Sequence, residues 1–223
     1  MTKTAIINEP APQPEIECWV QGYEPPLSEL LGQVVLIEVI QVNCTGCFIH
    51  ALPEAIRLHE GYEAKGLKVF AIATAFEHYE HNTLENLQHL LETGEPVGAP
   101  KQQLEKAGFL ENGKLPYQIP ISVAMDRLVV CNDKVTEKSI NQFILGQIPD
   151  FHEVEWPEGR KEDIYRQAEE HLKNRQYHAL TFEMYKLQGT PSSILIDKQG
   201  ILRKVSFGAV NVLEDDIRQL LSE

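Results

Sequence analysis

Basic residues are scarce. Lys and Arg total 20 against 33 Asp and Glu, a formal net charge of -13, so the surface repels phosphate backbones and nucleic acid is not an expected partner. A long apolar run is also missing. The longest, VVLIEVIQV, is broken by Glu38 and falls well short of the roughly 20 residues that a membrane-spanning helix needs. The N-terminal MTKTAIINEPAPQPEIE has no apolar segment behind a basic start, so neither an export signal nor a membrane partner is expected and the expected compartment is cytoplasmic. Cysteine is rare as well: four in 223 residues do not build a disulfide scaffold, and a cytoplasmic chain keeps ordinary thiols reduced. Internal repeats and low-complexity tracts are absent. What is present, 43% hydrophobic residues over 223 positions, suffices for one large core, in one domain or in one domain with a substantial insertion.

Along the chain, EIECWV suggests a short strand ending at Gly22. Residues 34–42, VVLIEVIQV, are nearly all apolar and β-branched, as in a parallel strand covered on both faces. Residues 48–65 place Ile49, Leu52, Ile56 and Leu58 near one helical face, with Gly66 as the stop. In GLKVFAIATA, residues 67–75 are a second buried strand. Asn82 or Thr83 caps the helix LENLQHLLETG, with Glu85 at capping-box spacing from Asn82, and KQQLEKAGF forms a short helix. IPISVAM is a third strand. Residues 127–187 carry no convincing strand, and their apolar spacings of three and four predict at least two helices, broken near Asn174. SSILID, KQG and ILRKVSF form a hairpin, and VLEDDIRQLL a closing helix. The expectation is one α/β domain over residues 1–223, a central mixed sheet flanked by helices, with residues 127–187 inserted before the SSILID strand.

Two of the four cysteines stand three apart, in QVNCTGCFIH, where the central strand hands over to a helix. A cysteine there faces unpaired backbone N–H groups and the positive end of the helix dipole, which favour thiolate over thiol. Cys44 is therefore the nucleophile. Cys47, one turn further in, is within reach of any mixed disulfide that Cys44 forms and expels the partner from it.

In this setting the chain resembles the thioredoxin-like redoxins, and most closely their TlpA-type branch. The resemblance rests on PPLSELLGQVVLIEVIQVNCTGC, GLKVFAIATA, IPISVAMD and above all GTPSSILIDKQGILRKVSFG. It implies a thioredoxin-like fold and thiol–disulfide oxidoreductase activity without a bound cofactor. It also implies protein thiols or disulfides as substrates and an upstream thiol reductant or oxidant. By the same resemblance Thr190–Pro191 is the cis-proline loop that presents backbone to a bound partner beside Thr45 and Gly46. Glu38, six residues before Cys44, is the buried acid that exchanges a proton with Cys47. Two features depart from the family pattern: Asn43 stands where a tryptophan is usual, and Pro53 falls one position late.

Other readings compete. A closed zinc site needs four ligands, there is no second CxxC, and the HxxH of His78 and His81 lies in the polar EHYEHN, so no metal is expected. Cys18 and Cys131 read as small buried hydrophobes, with a further redox role for Cys131 as the alternative. Glu38 has an alternative as a partner of Lys68. A peroxiredoxin-like peroxidase shares the fold but needs a Pro and a Thr ahead of its cysteine, and neither cysteine here has them. A non-catalytic interaction module with a thioredoxin-like fold stays open.

Overall fold

The computed structural model describes residues 4–208 and 213–223; Val212, first residue of the expected closing helix, lies outside them. The chain forms two compact units, residues 1–128 with 179–223, and residues 129–178.

The larger unit is built on six strands. β1 (Ile16–Gln21), β2 (Val34–Ile40), β3 (Leu67–Ala73) and β4 (Ser122–Asp126) precede the smaller unit in the chain. Between them lie α1 (Leu52–Tyr62), α2 (Leu84–Thr93) and α3 (Gly98–Lys106). The smaller unit's elements follow: β5 (Leu128–Val130), α4 (Glu137–Gln147), α5 (Arg160–Asn174) and β6 (Tyr177–Ala179). The chain returns through α6 (Leu180–Met184), β7 (Ser192–Ile196), β8 (Leu202–Phe207) and α7 (Leu213–Ser222). The sheet order is β1-β4-β3-β2-β7-β8. β2, β3 and β4 run parallel, while β1, β7 and β8 pair antiparallel to their neighbours. This is the thioredoxin-like architecture with a central mixed sheet.

β2 is buried at every position, which explains its unbroken apolar run: both faces of the sheet are covered. Because successive side chains alternate between faces, Val34, Leu36 and Ile40 join the core that includes Cys47, Leu52, Leu58 and Ile217. Val35, Ile37 and Val39 join Leu27, Tyr185 and Ile194 in the other core. Glu38 shares the parity of Leu36 and Ile40, so its carboxyl faces the side on which Cys47 packs. α1 buries Leu52, Ala55, Leu58 and Tyr62 at helical spacing, and Ile56 sits on its half-buried flank. Thr83 caps α2 by accepting from the Asn86 N–H at 3.1 Å; Asn82 is not the cap, because its side chain is held elsewhere.

The smaller unit has its own core, with Phe151, Ile144 and Ala168 buried and Trp156, Ile164 and Tyr165 packed on them. The expectation of no strand in residues 127–187 is corrected here: β5 and β6 pair as a separate two-stranded sheet. Three residues each are too few for periodicity to register. The second of the two expected helices is also shorter than its spacing suggested, since Tyr177 lies in β6 and only Leu180–Met184 is helical. α4 arises from a capping box in which Thr136 and Ser139 exchange hydrogen bonds. In the larger unit, the buried Asp126 accepts from the Thr181 and Phe182 N–H groups at 2.9 and 3.3 Å, and so caps α6 from a distant strand.

Candidate active site

The motif lies just past the C-terminal end of β2, where a parallel strand delivers the chain to a helix start. Helical backbone begins at Thr45, immediately after Cys44. Cys44 and Cys47 are joined in a disulfide with their Cα atoms 5.3 Å apart. The two sulfurs are not equivalent. Cys47 is sealed in the core and Cys44 is only half-buried. The Cys47 N–H, one of the unpaired donors of the first turn, points at the Cys44 sulfur at 3.1 Å, a contact that stabilises negative charge there.

The helix entered at Thr45 is not a regular α-helix. Residues Cys47–Ala51 form a π-turn, closed by the Leu52 N–H donating to the Cys47 carbonyl. A π-turn inserts one residue into a helix, so it accommodates Pro53 one position late. The combination has a cost. The Leu52 N–H is taken by Cys47, and residue 53 as proline has no N–H to offer. The Phe48 carbonyl therefore has no helical donor and instead accepts the Tyr117 hydroxyl at 2.6 Å. Burial pushes the Tyr117 phenol up from its ordinary pKa, which keeps it a neutral donor. Tyr117→Phe would strand that carbonyl, and the expected loss is about 1–3 kcal/mol, read as a lower urea midpoint. Tyr23→Phe, at an exposed ring, is the control and should leave the midpoint unchanged. Equal midpoints for both variants would contradict this account of the turn.

Glu38 is 2% exposed. It stands opposite Ser193 in the β2–β7 ladder, so the two side chains share a face and the Ser193 hydroxyl donates to Glu38 Oε1 at 2.8 Å. Oε2 is buried with no hydrogen-bond partner among the described residues. Desolvation drives the Glu38 pKa up to about 8, against the opposing pull of the Ser193 hydrogen bond and with a further upward push from Glu54. Lys68 is not its partner: the Lys68 ammonium pairs with Glu24 at 3.3 Å.

The Thr190–Pro191 peptide is cis, and Pro191 packs against the motif. A Cβ built on Gly46 would stand 3.4 Å from Pro191 Cδ, so glycine at 46 permits the loop's close approach. The Thr190 hydroxyl donates to Gln41 Oε1 at 3.1 Å, and the Gln41 amide donates to the Glu77 carbonyl at 3.3 Å. Asn82 donates to Asn43 Oδ1 at 2.8 Å, while the Asn43 N–H returns a bond to Asn82 Oδ1 at 3.3 Å. Thr45 donates to Gln103 of α3 at 2.7 Å. Sequence reasoning missed Gln41, Asn82, Gln103 and Ser193; the one available signal was Asn43 in place of tryptophan, which needs a new neighbour. Thr45, Gly46, Cys44 and Thr190 line one cavity of about 540 Å³ with Gln41, His78, His81 and Gln103. Cys18 and Cys131 are free thiols, both half-buried.

No family model matches this sequence, and no curated protein does. Among solved structures the chain is similar to a thiol-disulfide isomerase from Corynebacterium glutamicum, at 25% identity over 97% of this chain and 98% of that one, TM-score 0.59. It is also similar to a thioredoxin-like superfamily protein, at 24% identity over 96% and 97% of the two chains, TM-score 0.58. The fold is thioredoxin-like, and it carries a CxxC pair able to form a disulfide. Among the described residues no helix is long and apolar enough to cross a membrane.

Proposed function

We propose that this protein is a thiol–disulfide oxidoreductase acting on protein partners, of the TlpA type and cytoplasmic, with residues 1–223 as one thioredoxin-like domain into which the 129–178 unit is inserted. The carrying observation is the asymmetry of the pair: a half-buried Cys44 that lines a cavity and whose sulfur receives a helix-start N–H, and a sealed Cys47 behind it. The Cys44 thiolate attacks one sulfur of a partner disulfide and expels the other as a thiolate. The Cys47 thiolate then attacks Cys44 Sγ and releases the partner as a dithiol. The protein gives up two electrons and two protons and is left with the Cys44–Cys47 disulfide, which an upstream thiol donor reduces again. Glu38 accepts the Cys47 proton before the second attack. Thr190 and Pro191, with Thr45 and Gly46, seat the partner's backbone. The similarity to the Corynebacterium isomerase supports the same chemistry.

The reduced protein is expected to reduce insulin disulfides, and Cys44→Ser to abolish this. Alkylation by iodoacetamide should modify Cys44 first, with a pKa below that of a free cysteine near 8.5. First modification of Cys47 would reverse the roles. Peroxide consumption without insulin reduction would replace the reading with a peroxidase, and neither activity would leave an interaction module.

A further inference from the structure

The 129–178 unit holds a side-chain cluster that the dithiol chemistry does not use. Cys131, directly after β5, Asp133 two residues on, and His178 in β6 each offer one donor atom, and the three atoms lie within 4.8 Å of one another. His178 Nε2 is 3.0 Å from Asp133 Oδ2. The cluster rests on paired backbone: the Cys131 N–H donates to the Gln176 carbonyl at 2.8 Å, which ties the residue just after β5 to the residue just before β6.

We propose that Cys131, Asp133 and His178 bind a divalent transition metal of borderline softness, zinc in the first place. The donor set selects the class. A thiolate and an imidazole are poor ligands for calcium or magnesium, which take oxygen, whereas S, N and O together suit zinc or cobalt. The distances are close to those required. Zinc bonds of about 2.3 Å to sulfur and about 2.0–2.2 Å to nitrogen and oxygen, at a tetrahedral angle, put ligand atoms roughly 3.4–3.6 Å apart. The His178–Asp133 separation is slightly short of that and the outer limit of the cluster about 1 Å beyond it, so side-chain rotation alone closes the site. Arg175 Nη1 stands 3.5 Å from His178 Nδ1, which leaves Nε2 as the nitrogen offered. Coordination there puts the ring proton on Nδ1. The fourth position opens on a cavity of about 260 Å³ that Cys131 and Asp133 help to line, with room for water. Binding converts the Cys131 thiol to thiolate and releases one proton, so affinity rises with pH. The metal would brace β5 against β6.

The test uses the full chain with Cys44–Cys47 kept as the disulfide, so that the dithiol does not compete. Titrated with cobalt(II) alone, it should bind one equivalent with a thiolate-to-cobalt charge-transfer band and tetrahedral d–d bands, and zinc should bleach both. Cys131→Ser should lose the charge-transfer band. His178→Gln should weaken binding on the order of a hundredfold, as should Asp133→Asn, whose side chain is 74% exposed and free to change without unfolding the unit. Circular dichroism identifies any variant that fails to fold, and Asp133→Asn then decides alone. A charge-transfer band that survives in folded Cys131→Ser, unchanged affinity in Asp133→Asn, or no thiolate-to-cobalt band in the parent protein each overturns the proposal.

Discussion

Cys47→Ser is expected to accumulate mixed disulfides with the protein's partners. In the proposed cycle Cys44 attacks first and Cys47 only resolves, so removing the Cys47 sulfur leaves the covalent intermediate without its exit. The structure makes the division sharp. Cys47 is sealed in the core and has no route to a bulky partner, whereas Cys44 is only half-buried and lines the cavity shared with Gly46 and Thr190. Recovered from cells under non-reducing conditions, the variant should carry partners that dithiothreitol releases, at more than about ten times the amount seen with Cys44→Ser, which lacks the attacking group. Serine places a hydroxyl in an apolar setting at position 47, so Cys47→Ala should be run beside it and should trap equally well. Equal trapping by Cys44→Ser would remove the division of labour. No trapping by any variant would move the assignment to an interaction module.

The dithiol was legible in the sequence because everything that defines it is local: an apolar run at 34–42, two cysteines three apart, and a helical pattern behind them. The GTPSSILID phrase was legible for the same reason. What surrounds the dithiol was not. Asn43 meets Asn82 across 39 positions and Thr190 meets Gln41 across 149, and neither pairing leaves a trace in local periodicity. Ser193 opposite Glu38 follows only once the β2–β7 register is known, since a slip of one residue would turn Ser193 to the other face. The π-turn did leave a mark, the late Pro53, yet a proline by itself does not say whether a helix kinks, ends or gains a residue. The Cys131, Asp133 and His178 cluster was invisible for a further reason: it depends on a strand pair only three residues long on each side.

Glu38→Gln is expected to change both the pH dependence of stability and the rate of resolution. The folded protein holds the Glu38 proton up to about pH 8, against an ordinary value of 4.5, because desolvation disfavours the carboxylate. Between those pH values the folded state keeps a proton that the unfolded chain has lost, so stability falls as pH rises. The contribution is present in full below about 4.5, declines by on the order of 1 kcal/mol per pH unit, and is gone above about 8. Glutamine keeps the hydrogen bond from Ser193 and cannot ionise. The variant should therefore gain on the parent steadily from pH 5 to 8 in urea unfolding, with no further gain above. In the proposed cycle the minority of Glu38 that is ionised at pH 7 accepts the Cys47 proton, and its loss should slow resolution about a hundredfold at that pH. The deficit should shrink at higher pH, where hydroxide removes the same proton. The rate profile of the parent should inflect with an apparent value belonging to the Glu38–Cys47 pair jointly, and in Glu38→Gln that inflection should vanish. A stability gain without any change in the rate profile would leave Glu38 a buried acid with no part in exchange. An unchanged inflection would assign the proton to another group.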